Sequence, residues 1–182
     1  MKRIVTTLAL ICVTVISFAQ ASSILRPRVE IAECSSEEHS TSLEVFYMND
    51  ESPRTYYLSL GNLGIGGDIV QLEFDPVFEL FIPLGGSVEE AIARMEEIKA
   101  LYKMPRLSQT EIKASFAALY PTDKSYTVTV TSRRFLFSKV LEFSIPVEGN
   151  DPLVRATHIY RSDFNSLLSS LKIYKRLHPR QE

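Results

Sequence analysis

His158, Ser162 and Asp163 put a base, a hydroxyl and a carboxylate within six positions of one another. Acyl transfer needs those groups: a nucleophile, a base to take its proton, and an acid to orient the base. They are the candidate catalytic residues, and they imply a small exported hydrolase with a site assembled around His158. Their context argues against it. No G-x-S-x-G elbow presents the serine, and the spacing also suits a strand ending near His158 and a helix that Ser162 caps with Asp163 in its first turn. Ser169 and Lys172 make an S-x-x-K pair, but the companion S-D-N and K-T-G motifs are absent, and Lys172 fits the negative end of a helix.

The other constellations are thinner. Cys34 and His39 flank Glu37 and Glu38, and those carboxylates raise a thiol pKa rather than activate it. As metal ligands Cys34, Glu38 and His39 lack the paired spacing of zinc sites, so neither a metal nor a cofactor is expected. Glu73, Asp75 and Glu79 could be read as glycosidase carboxylates, yet alternate acids on a strand are ordinarily its solvated face, and the chain has no tryptophan to hold a sugar. Gly61, Gly64, Gly66 and Gly67 have the wrong spacing for a dinucleotide fingerprint. Gly85-Gly86-Ser87, before a helix start, is the better anion cradle, but Glu89 and Glu90 would repel an anion there. Tyr47, Tyr56, Tyr57 and Tyr160 are divided between core and a surface that could bind a ligand.

The element that organises the chain runs from Gly85 to Pro105. Ser87 and Glu90 have the spacing of a capping box, and Val88, Ala91, Ile92, Met95, Ile98 and Tyr102 form one apolar stripe. Glu90 and Arg94 are spaced as an i,i+4 pair, and Pro105 ends the helix. A second amphipathic helix follows Ser162, with Phe164, Leu167, Leu168, Leu171 and Tyr174 on its apolar face and His178-Pro179 at its close.

Between and before the helices, apolar residues alternate. Strands are expected at 28–33, 43–48, 54–60, 69–74, 77–82 and 153–160, with 34–42 a polar surface connection and 49–53 a turn. Residues 110–120 satisfy both helical and strand periodicity, and the turn at Pro121–Lys124 favours a strand. The run from Tyr126 to Ile145 is too long for one strand. A break is expected at Ser132-Arg133-Arg134, with Phe135, Phe137, Leu141, Phe143 and Ile145 sharing a face and a bulge at Lys139. The fold class that follows is α+β: a largely antiparallel sheet of about eight or nine short strands with two amphipathic helices packed on it.

The first residues carry Lys2 and Arg3, an apolar run from Ile4 to Phe18, and small residues at Ala19 and Ala21. That is the pattern of a signal peptide, with residues 1–21 removed and 22–182 forming one domain. The protein is expected to be exported, periplasmic or secreted, with no stable membrane insertion after cleavage. Loss of Lys2 and Arg3 from 20 basic residues leaves 18 against 22 acidic ones, a formal charge of −4, which disfavours nucleic acid as a partner. Cys34 is the only cysteine beyond the signal segment, so no internal disulfide is possible and packing must hold the fold. No motif names a family. The leading expectation is a non-catalytic binding or interaction module whose partner is a protein, a peptide or a surface component.

Overall fold

Ser87 caps the first helix as its spacing demands, with one change of partner. Its hydroxyl accepts from the Glu90 amide at 3.2 Å, and the Glu90 carboxylate turns back to accept from the Gly86 amide at 2.7 Å. Glu90 is therefore not the partner of Arg94, which instead bonds Glu97 at 2.6 Å. Gly85 makes the entry possible. Its φ of +125° suits only glycine, and a Cβ there would meet the Glu90 side chain at 2.5 Å.

The computed structural model describes residues 28–36, 41–61, 64–65, 78–118, 121–135, 137–146 and 154–179. The expected signal segment at 1–21, Glu38 and His39, the expected strand at 69–74, Glu73 and Asp75 lie outside them. The first half consists of β1 (Arg28–Ser36), β2 (Thr41–Met48), β3 (Tyr56–Leu60), β4 (Gly64–Ile65), β5 (Phe78–Gly85) and α1 (Val88–Ala100). A 3-10 turn (Leu101–Lys103) leads to β6 (Gln109–Ala118), β7 (Ser125–Phe135), β8 (Ser138–Pro146), β9 (Val154–Tyr160) and α2 (Arg161–Leu177). The strands form one antiparallel sheet in the order β1-β2-β3-β5-β6-β7-β8-β9-β4. This is the α+β class that the alternating apolar pattern requires.

One face of the sheet carries the core. Val45, Leu58, Leu80, Ile82, Val128, Val130, Leu141, Phe143 and Ile159 point inward and meet both helix stripes. From α1 come Val88, Ala91, Met95 and Ile98, with Ile92 only half-buried. Tyr102 continues that stripe into the 3-10 turn, and its hydroxyl donates to the Ile159 carbonyl at 3.0 Å. α2 adds Phe164, Leu167, Leu168 and Leu171. Lys172 pairs with Glu96 and Lys175 with Glu89, so the helices run antiparallel. The Lys172 ammonium beside Glu96 holds that carboxyl below its ordinary range. α2 sets out from β9 and packs on β1 and β2.

Three sequence expectations change and one is borne out. Residues 34–36 and 41–42 belong to β1 and β2, which lengthens the first hairpin. The strand favoured for 110–120 is present over 109–118, paired to β5 and β7, with 119–120 outside the described residues. No break occurs at Ser132–Arg134 and no bulge at Lys139: β7 and β8 stay in register from Thr129↔Ser144 to Phe135↔Ser138. Ser132 is held in place by the chain beside it, accepting from the Leu107 amide at 2.7 Å and donating to the Ser108 carbonyl at 3.0 Å. The reversal therefore comes later, and Phe135 and Phe137 are exposed at the tip while Leu141, Phe143 and Ile145 are core. Finally, α2 starts two residues early, with Tyr160 instead of Ser162 at its N-cap and no side-chain capping bond.

Candidate functional site

The three candidate catalytic residues face different surroundings. Ile159 points into the core, so His158 beside it on β9 points to the opposite face of the sheet. There its Nε2 lies 2.8 Å from Glu142, which also takes Arg133 through both carboxylate oxygens at 2.8 Å. Ser162 donates to Asp163 at 3.0 Å, and Asp163 is buried at the start of α2 on the helix side. The sheet thus lies between the imidazole and the hydroxyl–carboxylate pair. Ser169 donates to the Asn165 carbonyl at 2.8 Å, while Lys172 is taken by Glu96. Burial, followed by the nearby Asp163 and Glu33, pushes the Cys34 thiol up and away from thiolate chemistry. Among the described residues no three His, Cys, Asp or Glu side chains converge to hold a metal ion. The Gly85-Gly86-Ser87 cradle is taken by the chain's own Glu90.

Sequence reasoning missed a cluster built across four strands on the face opposite the helices. Arg28 of β1 reaches Glu44 of β2 at 2.8 Å and Glu79 of β5 at 3.0 Å, and Ser59 of β3 donates to Glu79. The guanidinium lies 4.0 Å from the centre of the Phe46 ring, and Phe46 and Phe81 are fully buried beneath it. Burial pushes the Glu44 carboxyl up to about 6, against the lowering effect of Arg28. Such a group can exchange protons near neutrality, but here both carboxylates are held by Arg28 and the cluster reads as a packed polar inlay.

It has a consequence for stability. A carboxyl whose folded pKa is raised costs nothing below its unfolded value and its full penalty above the folded one, so stability falls as pH rises through this window. Between about pH 4.5 and 7, wild type should lose roughly 1 to 2 kcal/mol relative to Glu44→Gln. Paired denaturant melts at the two ends of the range measure it, and parallel profiles would show that Glu44 titrates normally.

The second site is basic and open. After the 3-10 turn the chain folds back on itself: the Ser108 amide and hydroxyl both donate to the Pro105 carbonyl, at 3.1 and 2.7 Å. Leu107 adopts a φ of +67°, outside the usual range for a branched side chain, to bring this loop alongside Ser132. Between loop and hairpin lies a cavity of about 320 Å³ lined by Met104, Pro105, Arg106, Ser132, Arg133, Arg134 and Lys139. Its lining has four cations and no carboxylate.

Arg134 and Lys139 stand directly opposite each other across β7 and β8. Like charges in that relation destabilise a hairpin. Lys139 is steadied by donating to the Tyr102 carbonyl at 3.0 Å, and Arg133 is held by Glu142. Among the described residues, Arg106 and Arg134 have no carboxylate partner. The arrangement can accept a multiply charged oxyanion, which would relieve the Arg134–Lys139 repulsion and use forked donors suited to phosphate-like groups. A larger cavity of about 560 Å³, lined by Tyr47, Glu51, Ser52, Arg54, Tyr56, Gly86 and Ser87, offers one cation and one carboxylate and selects no charge.

Compared with known proteins, the chain matches no family model, no curated relative and no solved structure.

Proposed function

We propose that this chain is a non-catalytic, exported binding module that takes an anionic, phosphate-like group between the Met104–Ser108 loop and the β7–β8 hairpin. The observation that carries this reading is the in-register Arg134–Lys139 pair facing Arg106 across an open cavity whose lining holds no carboxylate. Two like charges kept opposite each other cost stability, and a ligand that bridges them recovers it. The signal-peptide pattern of residues 1–21 supports export, and an exported chain meets surface components rather than nucleic acids.

Inorganic pyrophosphate is a suitable probe. Titration followed by backbone amide shifts should perturb residues 104–108 and 132–139 saturably, and added salt should weaken the binding. Arg134→Ala should reduce affinity roughly tenfold, the scale of one charge-assisted contact. The absence of saturable shifts in wild type, or unchanged binding in an Arg134→Ala, Lys139→Ala double variant, would remove the site.

A further inference from the structure

Five large apolar side chains are exposed among the described residues, and three of them, Leu107, Phe135 and Phe137, belong to the loop and hairpin that frame the basic cavity. Phe137 is fully exposed and Phe135 is 63% exposed. The hairpin also overhangs its neighbours. The last rung between β6 and β7 is Gln109↔Thr131, the 105–108 loop reaches only Ser132, and the last rung between β8 and β9 is Val140↔Tyr160. Beyond these, Arg134 pairs only with Lys139 and Phe135 only with Ser138. At ~3.3 Å per residue, the two residues from Arg133, whose partner Val140 still pairs with β9, to Phe135 carry the tip about 7 Å past the sheet.

We infer that this hairpin seats the protein on an anionic phospholipid bilayer, with Phe135 and Phe137 entering the interface and Arg106, Arg134 and Lys139 meeting lipid phosphates. The inference rests on the anion-binding reading above and names the surface that supplies the anion. Charge complementarity selects this occupant. The charged residues of the cavity lining are all cations, exposed Arg161 follows the Val140↔Tyr160 rung, and Glu142 on the outer side of the hairpin is already held by Arg133 and His158. The shape agrees: the aromatics sit on a projecting tip, which suits an interface that yields around it better than a preformed groove. Aromatic rings with cations behind them are the pairing that interfacial segments use, and the overhang matches their depth of entry, about 5 to 10 Å. Among the described residues no helix is long and apolar enough to cross a membrane, so this contact is peripheral.

The test uses the exported protein, its amino terminus checked by mass spectrometry, with vesicles of phosphatidylcholine alone or mixed with phosphatidylglycerol. Wild type should co-float with the anionic vesicles, not the neutral ones, and should be released by salt. Phe135→Ser with Phe137→Ser should weaken vesicle binding roughly a hundredfold, the scale of losing two buried aromatics, and leave pyrophosphate binding intact. Arg134→Ala with Lys139→Ala should weaken both, by roughly fivefold per cation on vesicles. Thermal melts confirm that the variants fold, including the one that gives up the Lys139 bond to the Tyr102 carbonyl.

Three results would overturn the inference while the anion site stands: pyrophosphate binding without vesicle binding, equal binding to both vesicle types, or vesicle binding unchanged in the Phe variant. A lipid-free self-association by sedimentation that the Phe variant abolishes would also overturn it, assigning the tip to a second copy of the chain. Failure of wild type to bind pyrophosphate would instead sink the anion site itself.

Discussion

Phe164→Ala should lower the stability of the fold by about 3 to 5 kcal/mol, the loss expected when a buried aromatic is cut to a methyl and its cavity cannot close. Phe164 has no exposed surface and lies in the first turn of α2, its ring centre 5.9 Å from that of Tyr102. It therefore sits where both helices and β9 meet, and the Tyr102 hydroxyl bond to Ile159 limits how far that junction can collapse. Glu97→Ala, on the 65%-exposed outer side of α1, should change stability by no more than about 0.5 kcal/mol. Denaturant melts of the two variants side by side decide the matter. Equal losses would mean that the helices are not laid on the sheet.

Arg28→Ala should be almost as damaging at neutral pH, at about 2 to 4 kcal/mol, for an electrostatic reason. Arg28 is the shared partner of Glu44 and Glu79, whose side chains are 22% and 16% exposed, and it also covers Phe46. Its removal leaves two carboxylates facing each other over an apolar floor. Because burial already lifts Glu44 to about 6 with Arg28 present, losing that cation lifts it further. The deficit should therefore shrink as pH falls towards about 5, where Glu44 carries its proton. A deficit of the same size at both ends of the range would assign the cost to lost packing over Phe46 instead of to charge.

The legible parts of this fold are those whose instructions are local. Ser87, Glu90, the α1 stripe and Pro105 lie within twenty residues of one another, and each acts on backbone a turn away. Alternation likewise exposed most of the strands. What could not be read depends on contacts from elsewhere. The turn of the β7–β8 hairpin lacks the Gly, Asn or Asp that a tight reversal ordinarily declares, whereas Ser132-Arg133-Arg134 looks like a break until the Leu107–Ser108 backbone is seen to hold Ser132 in a strand. That one displaced turn moved two phenylalanines from an expected apolar face to an exposed tip.

The sites were hidden for the same reason. Arg28, Glu44, Ser59 and Glu79 meet only because β1, β2, β3 and β5 are neighbours, an order that alternation does not encode. Arg106 reaches Arg134 and Lys139 through the loop after α1, with a whole strand pair intervening in sequence. His158, Ser162 and Asp163 show the converse. Nearness along the chain suggested a site, but a residue on a strand and its successors on a helix end on opposite sides of a sheet.

The path of α2 bears on when this protein can finish folding. Its residues come last among the described elements, yet they cover β1 and β2, which come first. A chain made or threaded from its amino terminus can pair β1, β2 and β3 early, but the inward side of that hairpin has no cover until the carboxy-terminal helix arrives. Closing contacts that span so much sequence is slow. A nascent chain halted before Arg161 would thus present a half-built, sticky sheet, and a factor that shields it during that interval would bind the surface that α2 later occupies.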